Sequence, residues 1–461
     1  MKNLYFLFIL LSPLFNQNLI GQQPKTVFGQ NEILNDLDYL YNSLIDAHYN
    51  IYKYINEEDF TKNYNTVKNS IGKDSITLLQ ATNIFQKVIS AAKNGHTEID
   101  FPAASYGAYA YSGGTIFPLE TAFENNKSLI RKNFSDDQDI KIGSEIISIN
   151  GISMNDILAK IYPQVSAERK YFKNAKIEMY SFPRYYWQVF GKQDRFEVEI
   201  ETKGTVKKHS INAISLIEGY EMKRSEVLDA QMKLKFYEKS AYLNPGNFSG
   251  DELKYQRFID SAFVEIRSNE SINLIIDLRN NAGGHDSFSD YLVSYFTHKP
   301  FKWNSEFTLK TSQFLKEHTI KNSDTTEIYF RELLKHDNGE IYSYKFEDYQ
   351  PQPEEKRFDG KIYVLVNRQS HSQSAVTAAQ IQDYNLGIIV GEETGDYPSL
   401  YASQFQYSLP NTGIPVKVSK GYIVRVNGST KEEGVIPDII IKDHLLDEKD
   451  EILEGLLKKL N

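Results

Sequence analysis

The stretch Asn273-Leu274-Ile275-Ile276-Asp277-Leu278-Arg279-Asn280-Asn281-Ala282-Gly283-Gly284 decides the fold. Its first half is a short apolar run bounded by turn residues, the pattern of a strand buried on both faces. Its second half leaves that strand through a Gly-Gly loop and enters a helical segment, His285 to Phe296. Strands and helices keep alternating to either side. Ala241–Leu243 precedes the amphipathic segment Leu253–Arg267, with Phe258, Ile259, Ala262, Phe263 and Ile266 on one face. Lys361–Val366 precedes a helix from about Ser372 to Tyr384, and Leu386–Val390 follows. This βαβ rhythm predicts an α/β domain with a largely parallel sheet. Residues 300–358 are polar and turn-rich, and read as an insertion.

The pattern changes upstream. Ile33, Leu34, Leu37, Leu40, Tyr41, Leu44 and Ile45 recur at three- and four-residue steps, which predicts a helix with one apolar face. Further helices are expected over Phe60–Ile71 and Ser75–Ala92, the latter capped by Ser75 and the bundle ended by Asn94-Gly95. From Phe101 to about Ile211 the text turns to short strands and turns. Lys141 to Gly151 carries a Gly turn, an alternating strand and an Asn-Gly turn. Met154–Ile161 reads as a short helix, and Phe196–Ile200 with Val206–Ile211 as closing strands.

Composition excludes several functions. The chain has 461 residues, a length that suits about three domains. Its net charge is −9, which argues against nucleic-acid binding. It has no cysteine, so disulfides, thiolate metal sites and a cysteine nucleophile are all ruled out. No metal-ligand motif is present, and neither a metal nor another cofactor is expected. Lys2 followed by the mostly apolar Leu4–Phe15 predicts a secretory signal over about residues 1–21, with Gly21 at the cleavage point. The run is shorter than the ~20 residues a membrane span needs. A retained anchor is the alternative reading; otherwise the mature chain is expected to be soluble and exported, periplasmic or extracellular, without a stable span.

Two loops carry chemistry. The first is Asp277–Gly284, where glycines permit close backbone approach and backbone N–H groups can hold an oxyanion. A tight structural turn is the plainer reading. The second is Asn367-Arg368-Gln369-Ser370-His371-Ser372-Gln373-Ser374-Ala375, also between a strand and a helix. A serine there presents its hydroxyl at the carboxyl edge of the sheet beside a helix N-terminus. Ser370, Ser372 and Ser374 could equally serve as caps.

Together these loops resemble the tail-specific, or carboxy-terminal processing, serine peptidases and the related tricorn core protease. The matching pieces are DLRNNAGG (277–284), the block from Val366 to Thr394, GHT (95–97) and GVIPDI (434–439). Residues 141–151 resemble a signature stretch of the PDZ fold. The resemblance spans nearly the whole chain and implies a multi-domain α/β protein. Its expected parts are an N-terminal helical bundle (30–100), a PDZ-like β domain (101–212), an α/β peptidase core (213–445) and a C-terminal helix (446–461). It implies hydrolysis of peptide bonds in peptides or unfolded protein tails, through an acyl-enzyme on serine.

By position the resemblance makes Ser372 the nucleophile. The N–H of Gln373 and that of Gly283 or Gly284 become the oxyanion donors. The lysine base of many members would fall 25 residues after Ser372, where Tyr397 stands, and the next lysine is Lys417. The histidine of the tricorn-like branch maps instead to His96, with an ordinary pKa of ~6.5 suited to a general base. Thr97 is a candidate relay hydroxyl. The orienting acid maps to Glu432, then Glu433, with Glu392 and Glu393 as alternatives. His285 and His371 are pocket candidates. The rival reading is a catalytically inactive homologue of the same fold that binds peptides or another ligand. Oligomeric state and substrate preference are not encoded in any motif.

Overall fold

A computed structural model describes residues 25–224 and 230–460. The expected signal segment, residues 1–21, lies outside the described residues. Among those described, no helix is long and apolar enough to cross a membrane. The architecture is multi-domain α/β, with N-terminal helices followed by β-rich parts.

The N-terminal helices are Gln30–Ala47, Glu57–Asn69 and Leu78–Ile89. They bury the predicted stripe: Ile33, Leu37, Leu40 and Leu44 are fully shielded. The third helix starts later than Ser75. Thr77 caps it, accepting from Gln80 N–H while Gln80 Oε1 accepts from Thr77 N–H, and this reciprocal pair holds the first turn. Ile76–Thr77 is occupied in a short antiparallel pair with Val27–Phe28, so residue 75 is left outside the helix. The helix passes through a 3-10 turn, Ser90–Ala92, and stops at Lys93, whose φ is +51°. His96 follows directly.

Residues 119–212 build an antiparallel sheet from Leu119–Glu124, Lys127–Asn133, Glu145–Ile149, Arg195–Thr202 and Thr205–Asn212. Around it lie Ala103–Tyr111, Met154–Ile161, Lys170–Tyr180 and Phe182–Phe190. Three of these helices correct the reading of this region as strands and turns. Lys170–Tyr180 buries Lys176 and Glu178 beside Phe172 and Ile177, and Phe182–Phe190 buries Arg184 and Gln188 beside Tyr185 and Tyr186, so burial there does not follow polarity along the chain. Ala103–Tyr111 buries only Tyr106 and Ala110.

The C-terminal half holds a six-stranded sheet in the order Lys233–Tyr237, Ser240–Asn244, Asn273–Asp277, Lys361–Val366, Ile388–Gly391, Ile439–Ile440. Its first pair is antiparallel and the rest are parallel. The helices Glu252–Ser268, Asp286–Val293 and Gln373–Asp383 pack on the sheet through Ile259, Phe263, Leu292 and Ile381. The closing helix Glu451–Leu460 packs on the other face through Ile452 and Leu456.

Residues 300–358 are more than a polar insertion. Glu306–Lys310 and Ile341–Ser343 join Leu400–Ser408 and Pro415–Val424 in a second antiparallel sheet. Leu315 and Leu333 from the same segment enter the core of the N-terminal helices beside Phe405 and Val416. The strand Pro415–Val424 therefore touches the N-terminal lobe. Glu98 and Lys417 exchange both backbone hydrogen bonds, at 3.1 and 2.9 Å. This pairing carries the His96 loop to the edge of the α/β unit.

Candidate active site

Ser372 sits where the strand Lys361–Val366 turns into the helix Gln373–Asp383. Its φ of +53° and ψ of −126° are unfavourable for a side-chain-bearing residue, by about 1–3 kcal/mol. The surroundings hold it there. His371 N–H donates to Asn281 O at 3.1 Å. Ser372 N–H donates to Asp396 Oδ2 at 2.8 Å. The helix that follows is buried on all sides from Gln373 to Ile381. The three serines separate cleanly. Ser370 and Ser374 hydroxyls both donate to Leu278 O, at 2.9 and 3.0 Å. Ser372 makes no side-chain capping bond. Its hydroxyl is the one left available.

Gly283 and Gly284 are required where they stand. A Cβ on Gly283 (φ +84°) would lie 2.7 Å from Ser372 Cβ and 2.8 Å from Gln373 N. A Cβ on Gly284 (φ +139°) would lie 1.9 Å from Phe248 O. The two predicted donors differ, however. Gly283 N–H is spent on Asn281 Oδ1 at 2.8 Å. Gly284 N–H and Gln373 N–H have no hydrogen bond among the described residues. Gly284 is also exposed.

His96 is buried, 3% exposed. Its loop is strapped from several sides: Gln404 Nε2 donates to His96 O at 2.5 Å, and Ser419 N–H donates to Thr97 Oγ1 at 3.1 Å. Thr97 thus fastens the loop to the neighbouring strand. The His96 ring stacks on His371, centroids 4.8 Å apart. Its Nε2 lies 3.7 Å from Asp396 Oδ2. Neither ring nitrogen has a hydrogen-bond partner among the described residues, and no hydrogen bond joins it to Ser372. Burial pushes its pKa from the ordinary 6.5 down to about 4, so the imidazole is neutral and its lone pair free near pH 7. Burial also holds His371 well below its ordinary value.

Asp396 and Glu168 were not singled out by any sequence pattern, yet they face the imidazoles. Asp396 is fully buried, and burial lifts its pKa to about 6. It also lies 3.3 Å from His371 Nε2. Glu168 accepts from Gly95 N–H at 2.7 Å while its Oε2 is buried without a partner. Burial, with Asp396 nearby, raises its pKa to about 7. Asp396 is adjacent to Tyr397, so inspection of the lysine position passes it by one residue. Glu168 lies in a loop of the region read as strands.

The acids expected from the sequence stand elsewhere. Glu432 is half exposed and paired with Lys53 at 2.9 Å; Glu433 is 3.7 Å from Lys431. Both remain solvated because the segment before Gly434 runs along the surface. Glu393 binds Arg169 at 2.6 Å. Glu392 shares the buried Arg368 with Glu178 and Glu124, an arrangement that ties the residue four before Ser372 to the antiparallel domain. Tyr397 packs under the Arg169 guanidinium at 5.0 Å. Lys417 binds Asp100 at 2.7 Å. His285 is exposed at the start of Asp286–Val293 and is not one of the clustered residues His96, His371 and Asp396.

Residues 239–441 match the model of peptidase family S41. A 91-residue segment is 37% identical to the tail-specific protease of Haemophilus influenzae (strain ATCC 51907 / DSM 11121 / KW20 / Rd), covering 18% of this chain and 13% of that protein. The fold resembles that of mature CPAF complexed with lactacystin: TM-score 0.64, 16% identity, 94% of this chain and 97% of that one. It likewise resembles mature CPAF itself: TM-score 0.64, 15% identity, 94% and 96% coverage. The match to peptidase family S41 spans residues 239–441, which carry both the Gly-Gly loop and the Ser372 turn.

Proposed function

We propose that this protein is an exported serine peptidase that hydrolyses peptide bonds in peptides or protein tails. One observation carries the reading. An unpartnered serine hydroxyl stands on a positive-φ strand–helix turn, between two unspent backbone N–H groups and beside a neutral buried imidazole. Strain at such a turn exposes the oxygen for attack.

In this mechanism Ser372 Oγ attacks the scissile carbonyl as its proton passes to His96. No hydrogen bond has to break before the His96 ring turns toward Ser372. Gln373 N–H and Gly284 N–H hold the developing oxyanion; such donors are worth about 3–4 kcal/mol each. Asp396, in place of Glu432 or Glu433, stabilises the imidazolium that forms, and its bond to Ser372 N–H keeps the turn in register. His96 then protonates the leaving amine. Water, activated by the same ring, releases the acid from the acyl-enzyme. Residues 101–212, with the hairpin at Asn150-Gly151, act as a PDZ-like module that captures an extended peptide by strand addition. The core spans 213–445, and the first 21 residues direct export.

The inactive-homologue reading is favoured by one feature, the missing hydrogen bond between Ser372 and either imidazole. A fluorophosphonate probe separates the two. The peptidase reading requires covalent labelling that disappears in Ser372→Ala and slows sharply in His96→Gln. An unlabelled wild-type chain that still binds peptide establishes the rival.

A further inference from the structure

His96, His371 and Asp396 bring three ligand atoms within 4.8 Å of one another. Hydrolysis needs only one imidazole, so the second is unexplained by the mechanism. Three of the four ring nitrogens concerned, His96 Nδ1 and Nε2 and His371 Nε2, are buried without a hydrogen-bond partner among the described residues. Leaving buried polar atoms unpaired is costly, and here two of them, His96 Nε2 and His371 Nε2, converge on one carboxylate oxygen.

We propose that these residues form a binding site for a divalent transition metal ion, Zn2+ above all, and that its occupation switches hydrolysis off. The separations fit. With Zn–N and Zn–O bonds of about 2.0–2.2 Å, tetrahedral ligand atoms lie about 3.3–3.5 Å apart. His371 Nε2 and His96 Nε2 lie 3.3 and 3.7 Å from Asp396 Oδ2. Two imidazoles and one carboxylate suit zinc, and disfavour Ca2+ and Mg2+, which take oxygen ligands. Both rings are already neutral, as ligation demands. Lys176, whose charge acts on the His96 ring, is occupied by Glu98 at 2.9 Å, while Glu168 adds a buried carboxyl to the same surroundings. The His371 side chain is 15% exposed, while its Nε2 is buried. The other such cluster, Asp443, His444 and Glu451, is different: His444 Nε2 is already bound to Glu451 at 2.7 Å and its Nδ1 accepts from Leu446 N–H. A metal on His96 takes the lone pair that must accept the serine proton. No redox change or co-reactant is involved. The inhibitory role rests on the peptidase reading; the site itself does not.

The test begins with the full-length Ser372→Ala chain, where binding is measured apart from catalysis. Titration with Co2+ is expected to give the visible bands of a tetrahedral ion at one equivalent, with Zn2+ displacing it. His96→Gln and His371→Gln in that background are expected to weaken Zn2+ binding at least about tenfold. Absence of the bands, or an affinity in either variant equal to that of the Ser372→Ala parent, overturns the site. On the wild-type chain, Zn2+ is expected to slow fluorophosphonate labelling at least about tenfold, with recovery on adding EDTA. Zn2+ bound by Co2+ competition but without effect on labelling overturns the inhibitory role. A wild-type chain that never labels overturns the peptidase reading and the inhibition together, and the Co2+ titration then decides the site alone.

Discussion

Oδ2 of Asp396 accepts the Ser372 backbone N–H at 2.8 Å and at the same time lies 3.7 Å from Nε2 of His96. One buried carboxylate oxygen thus joins the turn that presents the hydroxyl to the imidazole supplied by the N-terminal helical lobe.

Asp396→Asn removes the charge and keeps an oxygen for the Ser372 N–H. We expect kcat/KM to fall about 10²–10⁴-fold with little change in unfolding midpoint. The pH profile distinguishes charge from shape. Asp396 ionises near pH 6 in the folded protein, so the wild-type acid limb should carry a component there that the variant lacks. An unchanged limb would remove Asp396 from the mechanism.

Ser372→Gly should abolish labelling and make the fold more stable. The φ of +53° and ψ of −126° strain serine and not glycine, so relief of about 1 kcal/mol is expected. Urea denaturation of the two proteins measures it. A loss of stability would mean that the turn is not strained.

Gly283→Ala places a methyl 2.7 Å from both Ser372 Cβ and His371 O, at a φ of +84°. Two of the three nearest atoms are backbone, so the Ser372 turn itself must move. Labelling should slow at least about 100-fold, because a displacement of an ångström at the reacting centre costs that much. The check is the labelling rate in protein that keeps the wild-type circular dichroism.

His48 is 2% exposed and accepts Asn50 N–H through Nδ1 at 3.0 Å. Burial, with Lys310 nearby, pushes its pKa down to about 3. The unfolded imidazole takes up a proton near pH 6.5, and the folded one does not until about pH 3. Its contribution to stability is therefore complete above pH 6.5 and lost as the pH falls toward 3, by about 1.4 kcal/mol per unit. His48→Asn keeps an acceptor for Asn50 N–H and no longer titrates. Relative to its difference from wild type at pH 7, the variant should gain about 2 kcal/mol at pH 5 in urea titrations. A difference independent of pH would show that His48 is protonated in the fold.

Much of the α/β half is legible in the sequence. The strands Asn273–Asp277 and Lys361–Val366 are short apolar runs between turn residues, and their burial on both faces writes itself into composition. The helices Lys170–Tyr180 and Phe182–Phe190 are not legible in this way, because they bury Lys176, Glu178, Arg184 and Gln188, polar residues that a sequence reading assigns to the surface. The same limit applies at the site. Ser372 is marked by a strand–helix loop, but three serines share that loop, and only the donation of Ser370 and Ser374 to Leu278 O singles it out. His96 is marked by its place after the helical lobe. Asp396 and Glu168 carry no local mark.

The sequence by itself determined the alternation of strands and helices, the two loops at the sheet edge and the residue types that can do acyl chemistry there, because these depend on neighbours a few positions apart. The tertiary structure alone decided which carboxylate meets which imidazole. That choice is made by the pairing of Glu98 with Lys417 and by the burial of Arg368 among Glu178, Glu392 and Glu124. Those contacts join residues far apart in the chain, and no spacing along a one-dimensional text specifies them.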